Sequence, residues 1–291
     1  MAKFQGTKIN PTKFDKSQLG FIIFLSFLGF FMILPIIFMF SQAFKPIDEL
    51  FLYPPRFLVK KPTIKNFVDL FIQTNIMQIP MTRYLFNSIL ITLTNVFLTS
   101  IISTMAGFAL SKKEFRLKKI IFEANTIALM FVPAAVAIPR YLIVEKMGLI
   151  DNMLGHILPI LAYPVCVFLA KQFIDQVPNA LIEAAYIDGA GDFYLFTRLV
   201  LPMIKPAVAT ISILAFQTTW NNTETSVIYM NKETLKTFAF YMSTLASTVN
   251  NNVAGQGIAA AAALIMFIPN LVIFLVQQSK VIATMAHSGL K

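Results

Sequence analysis

Long apolar runs alternate with short polar and charged segments along the whole chain. A helix needs roughly 20 apolar residues to cross about 30 Å of hydrocarbon, and six runs reach or approach that length. The pattern therefore predicts an all-α integral membrane fold, because a helix satisfies its own backbone hydrogen bonds in lipid. The six predicted transmembrane helices are residues 19–41, 84–110, 120–143, 153–172, 204–222 and 257–279.

Prolines fall inside several of these runs. The uncharged part of the third run, Ala124 to Pro139, has only 16 residues, or about 24 Å of helix, so this span must borrow polar flanking residues. We expect Pro133 and Pro139 to kink it, and Pro269 lies inside the sixth run. Because neighbouring helices must satisfy the backbone groups that a proline frees, the pattern favours a packed bundle over separate helices.

The distribution of charge predicts the orientation of the spans. Residues 111–119 carry five basic residues against one acid, and four lysines precede the first run. Short basic clusters of this kind stay in the cytoplasm, so an even number of spans places both termini and the 173–203 loop there too. The 42–83 loop is then external, although it carries six basic residues. The basic residues of the 111–119 cluster are Lys112, Lys113, Arg116, Lys118 and Lys119.

This topology divides the chain into a cytoplasmic tail at 1–18, a six-span domain at 19–280 and a cytoplasmic tail at 281–291. The first run is interpreted as an uncleaved span, because residues 17–44 are uncharged and a secretory signal has only about 7–15 apolar residues.

Composition agrees with a membrane protein. The chain is 57% apolar and 13% charged, whereas a soluble domain carries about 25% charged residues. The net charge is +10 and most charged residues lie outside the apolar runs, which favours contact with anionic lipid headgroups over a nucleic-acid partner. No metal-ligand spacing is present, because His156 and His287 are far apart and Cys166 is the one cysteine.

The polar stretch at 173–203 contains a short helix signal. Pro178 is typical of a helix start, and Gly189 and Gly191 are typical of a helix end, about three turns later. A helix this short is unstable alone in water and needs a partner surface. The residues leave two interpretations open: a helix lying on the cytoplasmic surface of the protein, and a helix that docks into another protein.

Residues 183–202 read EAAYIDGAGDFYLFTRLVLP, and they resemble the EAA loop by which ABC-importer permeases dock on their ATPase. Other segments resemble the carbohydrate branch of that family, represented by maltose-type permeases, so the likeness runs over nearly the whole chain. These segments are 87–88, 107–111, 138–141, 220–222 and 285–291. The matching loop positions are Glu183, Ala184, Ala185, Gly189, Leu201 and Pro202, together with Leu199, where isoleucine is usual.

The resemblance implies a type I ABC-importer permease fold with a cytoplasmic coupling helix, in a bacterial cytoplasmic membrane. It implies four kinds of partner: a second homologous permease subunit, two ATPase subunits, an extracellular solute-binding protein and a sugar substrate, an oligosaccharide. The chain would be no enzyme and would bind no cofactor, since ATP and Mg²⁺ belong to the ATPases and no G-x-x-x-x-G-K-[ST] motif is present. The tail after Gln278 is expected to touch the ATPases. The implied docking residues are Glu183, Ala184, Ala185, Asp188, Gly189, Leu199 and Pro202.

Several polar residues at membrane depth are candidate pore or substrate contacts. Amide side chains could face a sugar, but they could equally form hydrogen bonds between helices. The single tryptophan could stack on a sugar, but it could also anchor the chain at the membrane boundary. The candidates are Asn87, Asn95, Asn125, Trp220 and Asn221.

Two other functions compete with the importer permease. A secondary transporter needs ionisable groups at mid-membrane for ion coupling, and the middles of spans one, two, four, five and six have none. An integral-membrane enzyme needs a nucleophile, base or metal cluster at one interface, and the acids at 175–192 have no histidine beside them.

Overall fold

The computed structural model describes residues 18–72, 79–249 and 255–288, and within these ranges it contains helices and no β-strand. The predicted N-terminal tail, except Gln18, lies outside the described residues, as do 289–291 of the predicted C-terminal tail.

The helices follow one another with short connections. In chain order they are α1 (Leu19–Ala43), α2 (Ile47–Leu50), α3 (Lys65–Ile72), α4 (Met81–Lys112), α5 (Lys118–Ala128), α6 (Ala137–Lys146), α7 (Leu154–Leu161), α8 (Pro164–Asp175), α9 (Asn179–Ile187), α10 (Asp192–Tyr194), α11 (Leu201–Met203), α12 (Lys205–Trp220), α13 (Glu224–Tyr229), α14 (Phe238–Val249) and α15 (Gly255–Ser288). Two 3₁₀ turns and one π-helical turn join them, at Pro133–Val136, Glu233–Leu235 and Leu195–Val200.

Three helices, α1, α4 and α15, are long and apolar enough to cross a membrane unbroken. Three further pairs meet the same test together but are bent: α5 with the Pro133–Lys146 segment by 113°, α7 with α8 by 47°, and the Asp192–Met203 segment with α12 by 85°. By length and composition, the described residues therefore hold three candidate spans, or up to six if each bent pair is one span.

The bends lie close to prolines. Pro133 opens the 3₁₀ turn that separates α5 from α6, as expected for the third run. Pro139 instead lies in the first turn of α6 and causes no break. Pro164 begins α8 after the break that follows α7, and α15 continues through Pro269. Pro139 leaves α6 intact because a residue in the first turn of a helix has no intrahelical N–H bond to lose.

The α4 helix is the centre of the bundle. It packs against α8, α12 and α14, while α15 packs against α1, α3 and α12. The approach of α4 to α8 is close, since a Cβ added at Gly107 would lie 2.7 Å from Ala170 Cβ. Small residues at such a crossing let two backbones meet.

The structure extends or adds elements beyond the predicted runs. The second predicted span starts earlier, at Met81, and the last helix continues through Ser288 into the predicted tail. The α14 helix lies outside all six runs and buries Phe238, Tyr241 and Leu245. Those positions show the i, i+3, i+7 spacing of one helix face, a local signal that the search for long apolar runs does not detect.

Candidate functional site

The predicted docking helix is α9. It has nine residues, or about two and a half turns, and is slightly shorter than expected. Pro178 is its N-cap rather than its first helical residue. The only buried side chain of α9 is Ile182, which belongs to an apolar cluster with Ile174, Leu195 and Phe196. This one buried side chain packs α9 against the rest of the described helices.

Gly189 ends α9 with a specific hydrogen-bond pattern. Its φ is 82°, its N–H donates to Tyr186 O at 3.0 Å, and Ala190 N–H donates to Ala185 O at 2.9 Å. This is a Schellman motif, whose left-handed residue is usually glycine. Gly191 has an ordinary φ of −74°, so the two glycines have different roles.

The opposite face of α9 is open. Glu183, Ala184 and Asp188 are exposed, and Ile187 is 85% exposed. Phe193, just beyond the helix, is 73% exposed. We call these five residues the loop face.

The remaining predicted docking residues lie elsewhere. Ala185 and Leu199 are partly buried against the apolar cluster that holds Ile182, and Pro202 is exposed in α11. The structure therefore separates the predicted set into an exposed part and a part that packs the loop onto the bundle. Leu181, one turn before Ala185 in α9, is exposed.

Three consecutive residues at the end of α4, which we call the α4 clamp, hold this loop. Ser111 Oγ donates to Asp175 Oδ1 at 2.6 Å. Lys112 Nζ donates to Val177 O at 2.6 Å and to Asn179 Oδ1 at 2.8 Å. The contacts therefore follow the chain from the end of α8 to the start of α9.

Lys113 completes the α4 clamp. Its Nζ donates to Tyr186 Oη at 2.7 Å and forms an ion pair with Asp192, while Tyr186 donates to Asp192 at 2.7 Å. The hydrogen bonds to Asp192 and Tyr186 raise the pKa of Lys113, because both favour the ammonium form. From the sequence, the basic residues of 111–119 predicted only the orientation of the spans and did not indicate these contacts.

Two candidate substrate residues are buried and bonded within the chain. Asn87 Nδ2 donates to Thr234 O and Lys236 O, each at 2.9 Å. Trp220 Nε1 donates to Met266 O at 3.0 Å, and the Trp220 side chain is buried. In this conformation Asn87 joins α4 to the 234–236 segment, and Trp220 joins α12 to α15.

The other three candidates differ from one another. Asn95 is fully buried in α4, and neither of its side-chain polar atoms has a hydrogen-bond partner among the described residues. Asn125 Nδ2 donates to Pro164 O at 3.2 Å. Asn221 is exposed and accepts from Asn270 Nδ2 at 3.4 Å. Trp220 and Asn221 thus both reach α15, and Asn125 bridges to α8.

A polar network near α13 has no counterpart in the sequence predictions. Buried His156 lies with Nδ1 2.8 Å from Thr225 Oγ1 and Nε2 3.0 Å from Leu235 O. Arg140 forms an ion pair with Glu224. Residues about 70 to 85 positions apart in the chain meet here, so no local pattern could reveal the contacts. Within the described ranges, no group of three or more His, Cys, Asp or Glu could hold a metal ion.

The comparisons with known proteins decide the family. Residues 100–279 match the model of the binding-protein-dependent transport system inner membrane component. This match covers more than half of the sequence. The chain belongs to this family.

Relatives and a solved structure agree with that assignment. The chain is 26% identical to the arabinooligosaccharides transport system permease protein AraQ of Halalkalibacterium halodurans, over 91% of this chain and 94% of that protein. It is 31% identical to the melibiose/raffinose/stachyose import permease protein MelC of Bacillus subtilis, over 70% and 74%. A crystal structure of a bacterial ABC transporter involved in alginate import matches with a TM-score of 0.78 at 21% identity, over 92% of this permease and 99% of that chain.

The protein is thus an ABC-importer permease, a membrane-embedded subunit of a family whose members are not themselves enzymes. The expected all-helical permease fold is confirmed. Membership also implies partner subunits, such as a binding protein and an ATPase.

Proposed function

We propose that this permease serves an ATP-driven importer of carbohydrates, with oligosaccharides as substrates. It forms half of the pore with a second homologous permease subunit, and two ATPase subunits that carry ATP and Mg²⁺ bind beneath. An extracellular solute-binding protein delivers the sugar. The chain has six spans in the bacterial cytoplasmic membrane, and both termini lie in the cytoplasm.

The loop face carries the proposal that α9 is the coupling helix. Ile187 and Phe193 are large apolar side chains that remain largely exposed, and the exposed residues Glu183, Ala184 and Asp188 lie within four positions of Ile187 on the same side of α9. Exposed apolar side chains rimmed by polar ones are typical of a protein interface. The small side chain of Ala184 lets a partner approach the helix backbone.

The α4 clamp supports the proposed topology. It lies in the basic segment that the charge distribution places in the cytoplasm, and its hydrogen bonds reach Asp175, Asn179 and Asp192. The loop around α9 therefore lies on the same side as that segment.

The α4 helix also supports a mechanism for coupling. It has 32 residues, or about 48 Å at roughly 1.5 Å per residue. Its first turns bond the 233–238 segment, where Ser88 Oγ accepts from Phe238 N–H at 2.8 Å. Movement of α9 driven by ATP binding would therefore reach the external end of the permease through one rigid element.

The names of the relatives support a carbohydrate substrate. The AraQ and MelC proteins are named for arabinooligosaccharides and for melibiose, raffinose and stachyose. Uptake of labelled oligosaccharides by the reconstituted transporter would test this class. Uptake of amino acids or ions in place of sugars would contradict it.

A pair of glycine variants tests the coupling helix. Both Gly189 and Gly191 have open space where a Cβ would stand, but only Gly189 has a positive φ. In the assembled transporter, Gly189→Leu should insert normally and separate ATP hydrolysis from uptake, because the end of α9 is displaced. Gly191→Leu adds the same side chain at a position with an ordinary φ and is therefore the matched control. Normal uptake by Gly189→Leu would overturn the assignment of α9 as the coupling helix.

Chemical cross-linking tests the location of the loop face. In a Cys166→Ala background, Ile187→Cys should cross-link to the ATPase and should resist thiol reagents added outside intact cells. Labelling from outside would place the loop on the wrong side of the membrane and would refute the topology.

A further inference from the structure

A second unusual surface lies in the segment between α1 and α3. Residues 51–61 read FLYPPRFLVKK and contain no acidic residue. Tyr53 is 96% exposed, Phe51 61% and Leu58 60%, while the side chains of Arg56, Lys60 and Lys61 are exposed beside them. This segment, the 51–61 loop, thus presents apolar and basic groups together.

The 51–61 loop is held in place at several points. The Glu49 carboxylate accepts from Lys60 N–H at 3.0 Å and from Lys61 N–H at 2.8 Å. The buried Lys45 ammonium donates to Arg56 O. Because these bonds fix the backbone, the loop would lose little conformational freedom on binding a partner.

Contacts with α1 position the loop relative to the membrane. Ser41 Oγ donates to Phe57 O at 2.7 Å, and the Phe57 ring lies 5.4 Å from the Phe38 ring. The α1 helix has 25 residues, or about 37 Å, and exceeds a hydrocarbon core of roughly 30 Å. The helix is thus long enough for its last turns to reach the headgroup layer, and the loop folds back beside those turns.

The surrounding face of α1 is open as well. None of the residues in its most apolar 18-residue window is buried within the chain. The exposed apolar groups of the 51–61 loop therefore continue the exposed surface of a membrane-spanning helix.

We propose that the 51–61 loop is a lipid-binding element that lies in the headgroup layer and binds anionic phospholipid. Phe51, Tyr53 and Leu58 insert among the upper acyl carbons, as aromatic side chains do at membrane interfaces. Arg56, Lys60 and Lys61 bind the lipid phosphates, to which an arginine guanidinium can donate two parallel hydrogen bonds. The uniform positive charge matches an anionic headgroup, and the assignment is independent of the transported solute.

A tryptophan reporter tests the depth of the loop. Trp220 is the one tryptophan and is buried, so the wild-type protein supplies the background. Tyr53→Trp in the assembled, reconstituted transporter should be quenched by lipids brominated near the glycerol end of the acyl chain and shielded from iodide. Quenching by iodide but not by brominated lipid would place residue 53 in water and overturn the proposal.

A second measurement tests the preference for anionic lipid. With Tyr53→Trp present, brominated phosphatidylglycerol should quench more than brominated phosphatidylcholine at equal mole fraction. Lys60→Gln/Lys61→Gln should lower this preference on the order of fivefold per lysine, which corresponds to about 1 kcal/mol for each basic residue near a charged surface. Lys146→Gln/Lys232→Gln, which removes two exposed lysines from outside the 51–61 loop, is the matched control and should leave it unchanged.

The remaining outcomes also decide the proposal. Equal quenching by both lipids, or an equal loss in both double variants, would refute a specific anionic-lipid contact. If added solute-binding protein shields the Tyr53→Trp reporter from iodide while brominated lipid has no effect, the loop contacts that protein and the lipid assignment is wrong.

Discussion

Lys112 Nζ lies 2.8 Å from Asn179 Oδ1, and this contact joins the last residue of α4 to the first residue of α9. The two neighbouring residues of the α4 clamp also contact this loop: Ser111 donates to Asp175, and Lys113 pairs with Asp192. The loop that carries α9 is consequently attached to the central helix of the bundle by side-chain contacts as well as by its own chain.

Removal of one clamp contact should weaken coupling without preventing insertion. Lys113→Met deletes the bonds to Tyr186 and Asp192, and we expect uptake per ATP hydrolysed to fall severalfold in proteoliposomes. Exposed charged pairs contribute only about 0–1 kcal/mol, so thermal stability should change little. Lys119→Met, which removes an exposed lysine of the same cluster near Glu123, is the control. Equal uptake by both variants would contradict the role of the clamp.

Trp220→Phe should reveal whether this residue is structural. The variant loses the bond to Met266 O but keeps an aromatic ring beside Phe216, whose centroid lies 5.6 Å away. The lost hydrogen bond should cost about 1 kcal/mol, seen as a lower melting temperature in detergent. The concentration of sugar at half-maximal uptake should not change. A large rise in that concentration at unchanged stability would instead place Trp220 in the sugar site.

Asn87 should stabilise the segment that follows α13. Asn87→Leu deletes the two hydrogen bonds to the Thr234 and Lys236 carbonyls, which at about 0.5–1.5 kcal/mol each contribute about 1–3 kcal/mol together. Limited proteolysis within 230–237 should therefore accelerate about 5- to 150-fold. Cleavage at the wild-type rate would mean that other contacts hold the segment. Asn221→Leu, at an exposed position, is the comparison.

Asp151 should make the same region sensitive to acid. Its carboxylate accepts from Lys232 N–H at 2.8 Å and from Asn231 N–H at 2.6 Å. These bonds lower the pKa of Asp151, and the bond from Lys232 N–H has the largest effect. A depressed pKa stabilises the fold above the ordinary aspartate value of about 3.9 and loses that effect as pH falls through the folded value. Protection of 230–232 from hydrogen exchange should decline only in that acidic range.

Two substitutions separate the charge of Asp151 from its backbone conformation. Its φ is 55°, which asparagine tolerates and alanine does not. Asp151→Asn should remove the acid dependence with a modest loss of stability, and Asp151→Ala should lower the melting temperature further. An unchanged acid dependence in Asp151→Asn would mean that another group titrates.

The sequence was sufficient for features that depend on local pattern. The apolar runs located α1, α4 and α15 because unbroken hydrophobicity is measured along the chain, and Pro133 marked a real break. The order of residues around Gly189 predicted a helix end, and the Schellman bonds supply the reason.

Features that depend on distant contacts could not be predicted. Lys113 and Asp192 are 79 positions apart, and His156 and Thr225 are 69 apart, so only the folded chain brings them together. The five candidate substrate residues show the same difficulty. Asparagine at membrane depth can face a pore or bond a neighbouring backbone, and the sequence cannot distinguish Asn87, which bonds two carbonyls, from Asn95, which bonds none among the described residues.

Gly107 limits the paths that a solute can take. A Cβ there would lie 2.7 Å from Ala170 Cβ and 2.9 Å from Lys171 N, so α4 and α8 touch backbone to backbone at this crossing. No sugar could pass between two helices in such contact without first forcing them apart. The translocation route must therefore follow other faces of these helices.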